Sequence, residues 1–103
     1  MTRRERIEKM LAETPQDPEL RYFLAMEYVS EGALERGLAE LREVNRIGPD
    51  YIPAYLQGGQ LLVKLGREDE ARTLYMTGIT RARTVGDHHA AGEMEGLLDA
   101  ISG

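Results

Sequence analysis

Gly32 and Gly66 stand 34 residues apart, and sliding the sequence over itself by that distance also brings Pro15 onto Pro49, Val29 onto Val63, Gly37 onto Ala71 and Leu41 onto Tyr75. A fixed period of this length marks a supersecondary unit that recurs along the chain, and each unit must bury its apolar face against its neighbours. The same shift lays Ile7 and Met10 under Leu41 and Val44, so the first helix corresponds to the second helix of a hairpin and the chain opens half a unit early.

Local signals give the units their content. Thr2 followed by Glu5 has capping-box spacing for a first helix, and Thr14-Pro15-Gln16-Asp17-Pro18 closes that helix and opens the next. Gly32 and Gly66 fall where the first helix of each hairpin must end, and Gly48-Pro49-Asp50 breaks the chain between hairpins. Leu34, Leu38, Leu41, Val44 and Ile47 recur at helical spacing and predict one buried stripe over about 33–47. Gly86-Asp87 separates a last helix with a stripe of Ala90, Met94, Leu97, Leu98 and Ile101. The pattern predicts six helices and no strands.

These residues resemble the tetratricopeptide repeat family, whose 34-residue unit carries a large residue, then Leu-Gly and Tyr, then Ala and Phe, then Pro. The first unit reads Arg21, Leu24-Ala25, Tyr28, Gly37, Leu41 and Pro49; the second reads Tyr55, Gly58-Gly59, Leu62, Ala71 and Tyr75. The resemblance covers residues 1–83 and departs from the pattern at Arg21, where an aromatic is usual, at Gly58, where leucine is usual, and at Arg83, where proline is usual. The missing proline predicts that the helix before it runs on. The resemblance implies an all-α fold, a right-handed α-solenoid of TPR-like helix hairpins in a single domain. Residues 1–15 would be an N-terminal half-repeat helix, 18–49 and 52–84 the two repeats, and 87–101 a C-terminal capping helix.

Size and composition narrow the function. At 103 residues the chain fits one domain with a thin core, and 30% charged against 42% hydrophobic residues is the balance of a folded protein. Cysteine is absent, so a disulfide framework and a thiolate metal site are excluded. The apolar runs are far short of the roughly 20 residues a membrane span needs, and Ile7-Glu8-Lys9-Met10-Leu11-Ala12-Glu13 interrupts any export signal with charges. A cytoplasmic protein without a membrane partner is expected. Net charge is −5 and basic residues are scattered apart from those at the start and Arg81 with Arg83, which speaks against a nucleic-acid partner.

Chemistry finds little to work with. His88 and His89 are the only histidines, and His89 with Glu93 offers two ligands where zinc takes three or four, so no metal and no cofactor are expected. Gly58-Gly59 lies inside a helical pattern without the lysine of a phosphate loop, and close helix packing is its expected role. Ser30 and Ser102 sit at helix or chain ends without a partnered base, and Glu68-Asp69-Glu70 suits the first turn of a helix. The chain is not expected to be an enzyme.

Partner binding is the remaining function. At about 100° per residue, helix 18–31 is apolar on two opposed sides, with Leu20, Leu24 and Tyr28 on one and Tyr22, Met26 and Val29 on the other. Helix 52–65 repeats the arrangement with Ala54, Leu61 and Leu65 opposite Ile52, Leu56 and Val63. One side must meet the partner helix of its own hairpin. The resemblance implies that the other lines a concave groove where peptides or helices dock, making Tyr22, Met26, Val29, Leu56, Gln60, Val63 and Lys64 the candidate contact set. The partner is expected to be a protein or peptide; a homodimer that buries these faces is the alternative. Some family members grip the carboxylate tails of heat-shock chaperones with lysine and asparagine; Tyr22 and Met26 at two of those positions supply no such clamp.

Overall fold

The computed structural model describes residues 1–102, and six α-helices follow one another in it: α1 (Arg3–Glu13), α2 (Pro18–Ser30), α3 (Leu34–Ile47), α4 (Pro53–Lys64), α5 (Glu68–Thr84) and α6 (His88–Ser102). No strand occurs among the described residues. The chain divides into two compact units, Met1–Tyr51 with α1 to α3, and a second from Ile52 onward with α4 to α6.

Each helix starts and stops for a local reason. The Thr2 hydroxyl accepts from the Glu5 N–H at 3.1 Å while the Glu5 carboxylate accepts from the Thr2 N–H at 3.0 Å, the predicted capping box. Asp17 accepts from the N–H groups of Glu19 and Leu20, and Pro18 occupies the first helical position, where no amide donor is needed. At the end of α2, Gly32 takes φ +82°, a left-handed conformation that costs glycine little. This lets the Gly32 N–H reach the Val29 carbonyl at 3.0 Å and the Ala33 N–H reach Tyr28 at 2.9 Å, satisfying two terminal carbonyls. The same closure recurs after α4 and α5. With no proline near Arg83, α5 runs for 17 residues against 14 in α3.

In the first unit, Ile7 and Leu11 of α1 are buried with Leu24 and Tyr28 of α2, and Leu20 and Ala33 pack against them. Leu38, Leu41 and Val44 bury the middle of the α3 stripe, whereas Leu34 and Ile47 at its ends are only partly covered. Arg21 replaces the usual aromatic by an ion pair: its guanidinium donates to Glu40 on α3 at 2.8 Å and to the Pro15 carbonyl at 3.2 Å. The Tyr28 ring has the guanidinium carbons of Arg36 and Arg4 at 4.5 and 5.6 Å from its centroid, and Arg36 also donates to its hydroxyl at 3.1 Å.

The second unit is built on close approach. Leu74 fills the space a Cβ on Gly58 would need, its Cδ2 standing 2.7 Å from that point, so the expected leucine is supplied from the facing helix. Gly78 of α5 is likewise pressed by the Tyr55 Cβ at 2.6 Å and the Met94 Sδ at 2.8 Å. Met94 and Ala91 anchor α6; Leu97, Leu98 and Ile101 are half-buried, and so is Ala90, one residue off the buried line. Asp87 caps α6 by accepting from the Ala90 N–H at 3.1 Å, and Arg72 donates to the Ile101 carbonyl at its far end.

Candidate binding surface

Tyr22, Met26 and Val29 on α2 have three different surroundings. The Tyr22 ring packs on Tyr51, centroids 5.2 Å apart and tilted by 51°, with Phe23 on its other flank at 6.2 Å. Burial raises the Tyr22 phenol above its ordinary pKa; it does the same for Tyr51, where the carboxylates of Glu19 and Asp17 add to the effect. Val29 leans on its own hairpin partner: its Cγ2 stands 2.7 Å from the place of a Cβ on Gly37. Only part of Val29 is left to face anything else.

Met26 turns into a cleft of about 480 Å³ between α1 and α2, lined by Arg3, Arg6, Ile7, Met10, Phe23 and Glu27 as well. Ile7 is buried, Met10 is 51% exposed and Phe23 is 43% exposed. Arg3 reaches Glu27 at 3.4 Å from an exposed position. Neither Met10 nor Phe23 was among the contact residues expected from the sequence. The repeat aligned Met10 with Val44, which is fully buried, and Phe23 falls between the two apolar stripes of α2.

In the second unit, Leu56, Gln60, Val63 and Lys64 share one face of α4 at helical spacing; Leu56 and Val63 are partly covered, Gln60 and Lys64 exposed. A shallower hollow of about 360 Å³ is lined by Met76, Thr77, Thr80 and Arg81, all on α5. The Thr77 and Thr80 hydroxyls donate to carbonyls of their own helix, at Thr73 and Met76.

Among the described residues, no group of three or more His, Asp or Glu gathers into a metal site, and His88 and His89 are exposed. Asp69 pairs with Arg72, and Glu70 with Arg67, in the first turn of α5. Among the described residues no helix is long and apolar enough to cross a membrane.

No protein-family model matches the chain, and no curated protein does. Solved structures do. A tetratricopeptide repeat domain protein from Salinibacter ruber, determined by solution NMR, is 33% identical over 84% of this chain and 88% of its own, with a TM-score of 0.81. The TPR2B domain of yeast Sti1, in a pHsp70 complex, is 15% identical over 96% of this chain and 79% of its own, with a TM-score of 0.88. PcrH, in complex with the chaperone binding region of PopD, gives the same identity, coverage of this chain and TM-score over 75% of its length. At that identity the last two likenesses speak to the fold alone.

Proposed function

The chain belongs to the tetratricopeptide repeat family, and from that premise we propose that it is a non-catalytic interaction module that holds a peptide or helix of another protein against α2. PcrH and Sti1, which share the fold, were solved with protein partners bound. The observation that carries the reading is the cleft between α1 and α2, where Met10, Phe23 and Met26 leave apolar surface open to water. Exposed apolar residues grouped in a concavity mark interaction sites more often than scattered ones do. Methionine adapts to irregular partners, and the Phe23 ring offers a rigid wall. Arg3 and Arg6 on the rim favour a partner carrying acidic groups beside its apolar anchors. Tyr22 beside Met26 supplies a further contact on α2, and Leu56, Gln60, Val63 and Lys64 offer a contact face of their own on α4 of the second unit.

A photoreactive benzoylphenylalanine in place of Phe23 tests this in extracts of the source cell. The expected result is a discrete adduct that disappears when Met10→Glu or Met26→Glu is added, with no such adduct from the same group at Thr77 on α5. Equal labelling from Thr77, or labelling indifferent to both substitutions, removes the reading.

A further inference from the structure

Twice the repeat shift carries α1 onto α5 and α2 onto α6. Arg3, Arg6, Ile7 and Met10 then correspond to Ala71, Leu74, Tyr75 and Gly78, and Phe23 and Met26 to Ala91 and Met94. In the second unit none of these counterparts is exposed, and α4 lies over three of them: Gly58 faces Leu74, Gly59 faces Tyr75, and Tyr55 crosses Gly78, which also meets Met94. In the first unit the same positions form the open cleft, with Met10 and Phe23 half in water where Gly78 and Ala91 are buried. The cleft therefore has the form of an empty seat for the first helix of a hairpin.

The opposite deficit occurs at α6. By the same register α6 is a first helix, the counterpart of α2 and α4. On α4 the face that meets α5 is marked by Gly58 and Gly59, buried against Leu74 and Tyr75, with Leu62 one turn on and buried as well. Its counterpart on α6 is Gly92, Glu93 and Gly96, all exposed, and a Cβ on either glycine would meet nothing within 4 Å. Among the described residues, then, no helix covers the α1–α2 cleft and none covers the Gly92 and Gly96 face of α6. The charges fit: α6 carries Glu93, Glu95 and Asp99 and no lysine or arginine, whereas Arg3 and Arg6 flank the cleft. Glu95 is held by Arg83 at 2.6 Å, while Glu93 and Arg6 make no ion pair among the described residues.

We propose that the occupant of the cleft is α6 of a second copy of this chain, docking through Gly92, Glu93 and Gly96 so that α6 and the neighbour's α1 complete one repeat hairpin between two molecules. This rests on reading the cleft as a protein-binding surface and names what binds there. In the register of α4, Gly92 comes over Arg6 and Glu93 over Ile7, within reach of both arginines. Glycines at Gly92 and Gly96 let the two helices approach closely, as Gly58 and Gly59 do inside the second unit. The contact joins two different surfaces, so it is head-to-tail and propagates until a ring closes or a chain end is blocked.

Mixing two blocked variants tests this. Met10→Glu obstructs the cleft and Gly96→Arg obstructs the α6 face; both positions are exposed, and each variant keeps the other surface intact. Light scattering behind size-exclusion chromatography, from low to high micromolar, should show the wild-type mass rising past that of a dimer and each variant alone remaining monomeric. An equimolar mixture should stop at a dimer of one copy each. Phe23→Glu with Gly92→Arg should repeat the pattern, and circular dichroism reports that all four variants fold. A wild type that stays monomeric, a dimer that survives in either variant alone, or a mixture that fails to pair overturns the proposal. If the photoadduct at Phe23 persists in those cases, the interaction module stands with a foreign partner; if it too is absent, both readings fall.

Discussion

Gly59 on α4 lies against the ring of Tyr75 on α5, whose Cδ1 stands 2.7 Å from the point a Cβ would occupy, with two further ring atoms nearer still. A glycine inside a helix costs about 0.5–1 kcal/mol in backbone entropy relative to alanine. Here the cost is offset by burying a tyrosine that is 1% exposed. We predict that Gly59→Ala destabilises the protein by about 1–3 kcal/mol, the usual cost of overfilling a packed site. Gly92→Ala, where a Cβ meets nothing, should instead stabilise by about 0.5–1 kcal/mol. Urea denaturation of dilute protein measures both, and equal effects at the two sites would contradict the packing described.

The pair Arg21 and Glu40 makes a second test. Both side chains are largely covered, at 20% and 24% exposed, and Arg21 Nε is buried without a hydrogen-bond partner. Removing one member leaves a charge poorly solvated, so Glu40→Ala should cost about 1–3 kcal/mol. Replacing both by methionine removes the desolvation penalty together with the attraction, and should leave stability within about 1 kcal/mol of wild type. A double variant weaker than Glu40→Ala would mean that the ion pair contributes more than the covered volume.

Alkaline pH offers a third. Burial holds the phenols of Tyr22, Tyr51 and Tyr75 above the ordinary tyrosine pKa of about 10, the value they regain on unfolding. Between the unfolded and folded values the unfolded chain has given up protons that the native chain retains, so stability falls as pH rises. The stability tied to these phenols is whole below about pH 10 and is lost above it. Denaturation midpoints at about pH 8 and about pH 11 should therefore diverge, and by less in the Tyr22→Phe, Tyr51→Phe double variant. An unchanged divergence in that variant would place the titrating groups elsewhere.

The ends of the helices were readable in the sequence because each is decided within a few residues: Thr2 with Glu5, Asp17 with Pro18, and Gly32 with its counterpart Gly66. The place of Met26 on α2 was readable, because helical spacing alone sets it opposite Leu24 and Tyr28. Met10 was not. Its spacing is that of a core residue, and only the absence of cover over α1 and α2 exposes it. Val29 went the other way, since its stripe suggested an outer face while the small Gly37 lets α3 come close enough to claim it. Arg21 looked like a break in the repeat, and its ion pair with Glu40, 19 residues further on, is visible only once α2 and α3 are side by side. Spacing along one helix tells which residues share a face; what lies against that face is a property of the assembled helices.

Methyl NMR of the methionines tests the central claim, that the α1–α2 cleft is where this protein is joined by another chain. The chain holds five methionines, of which Met10 and Met26 line the cleft, Met76 is exposed on α5 and Met94 is fully buried. As protein concentration rises, or as a captured partner is added, the Met10 and Met26 methyl signals should shift or broaden together while Met76 and Met94 hold still. Movement at Met76 with Met10 and Met26 unchanged would contradict the account.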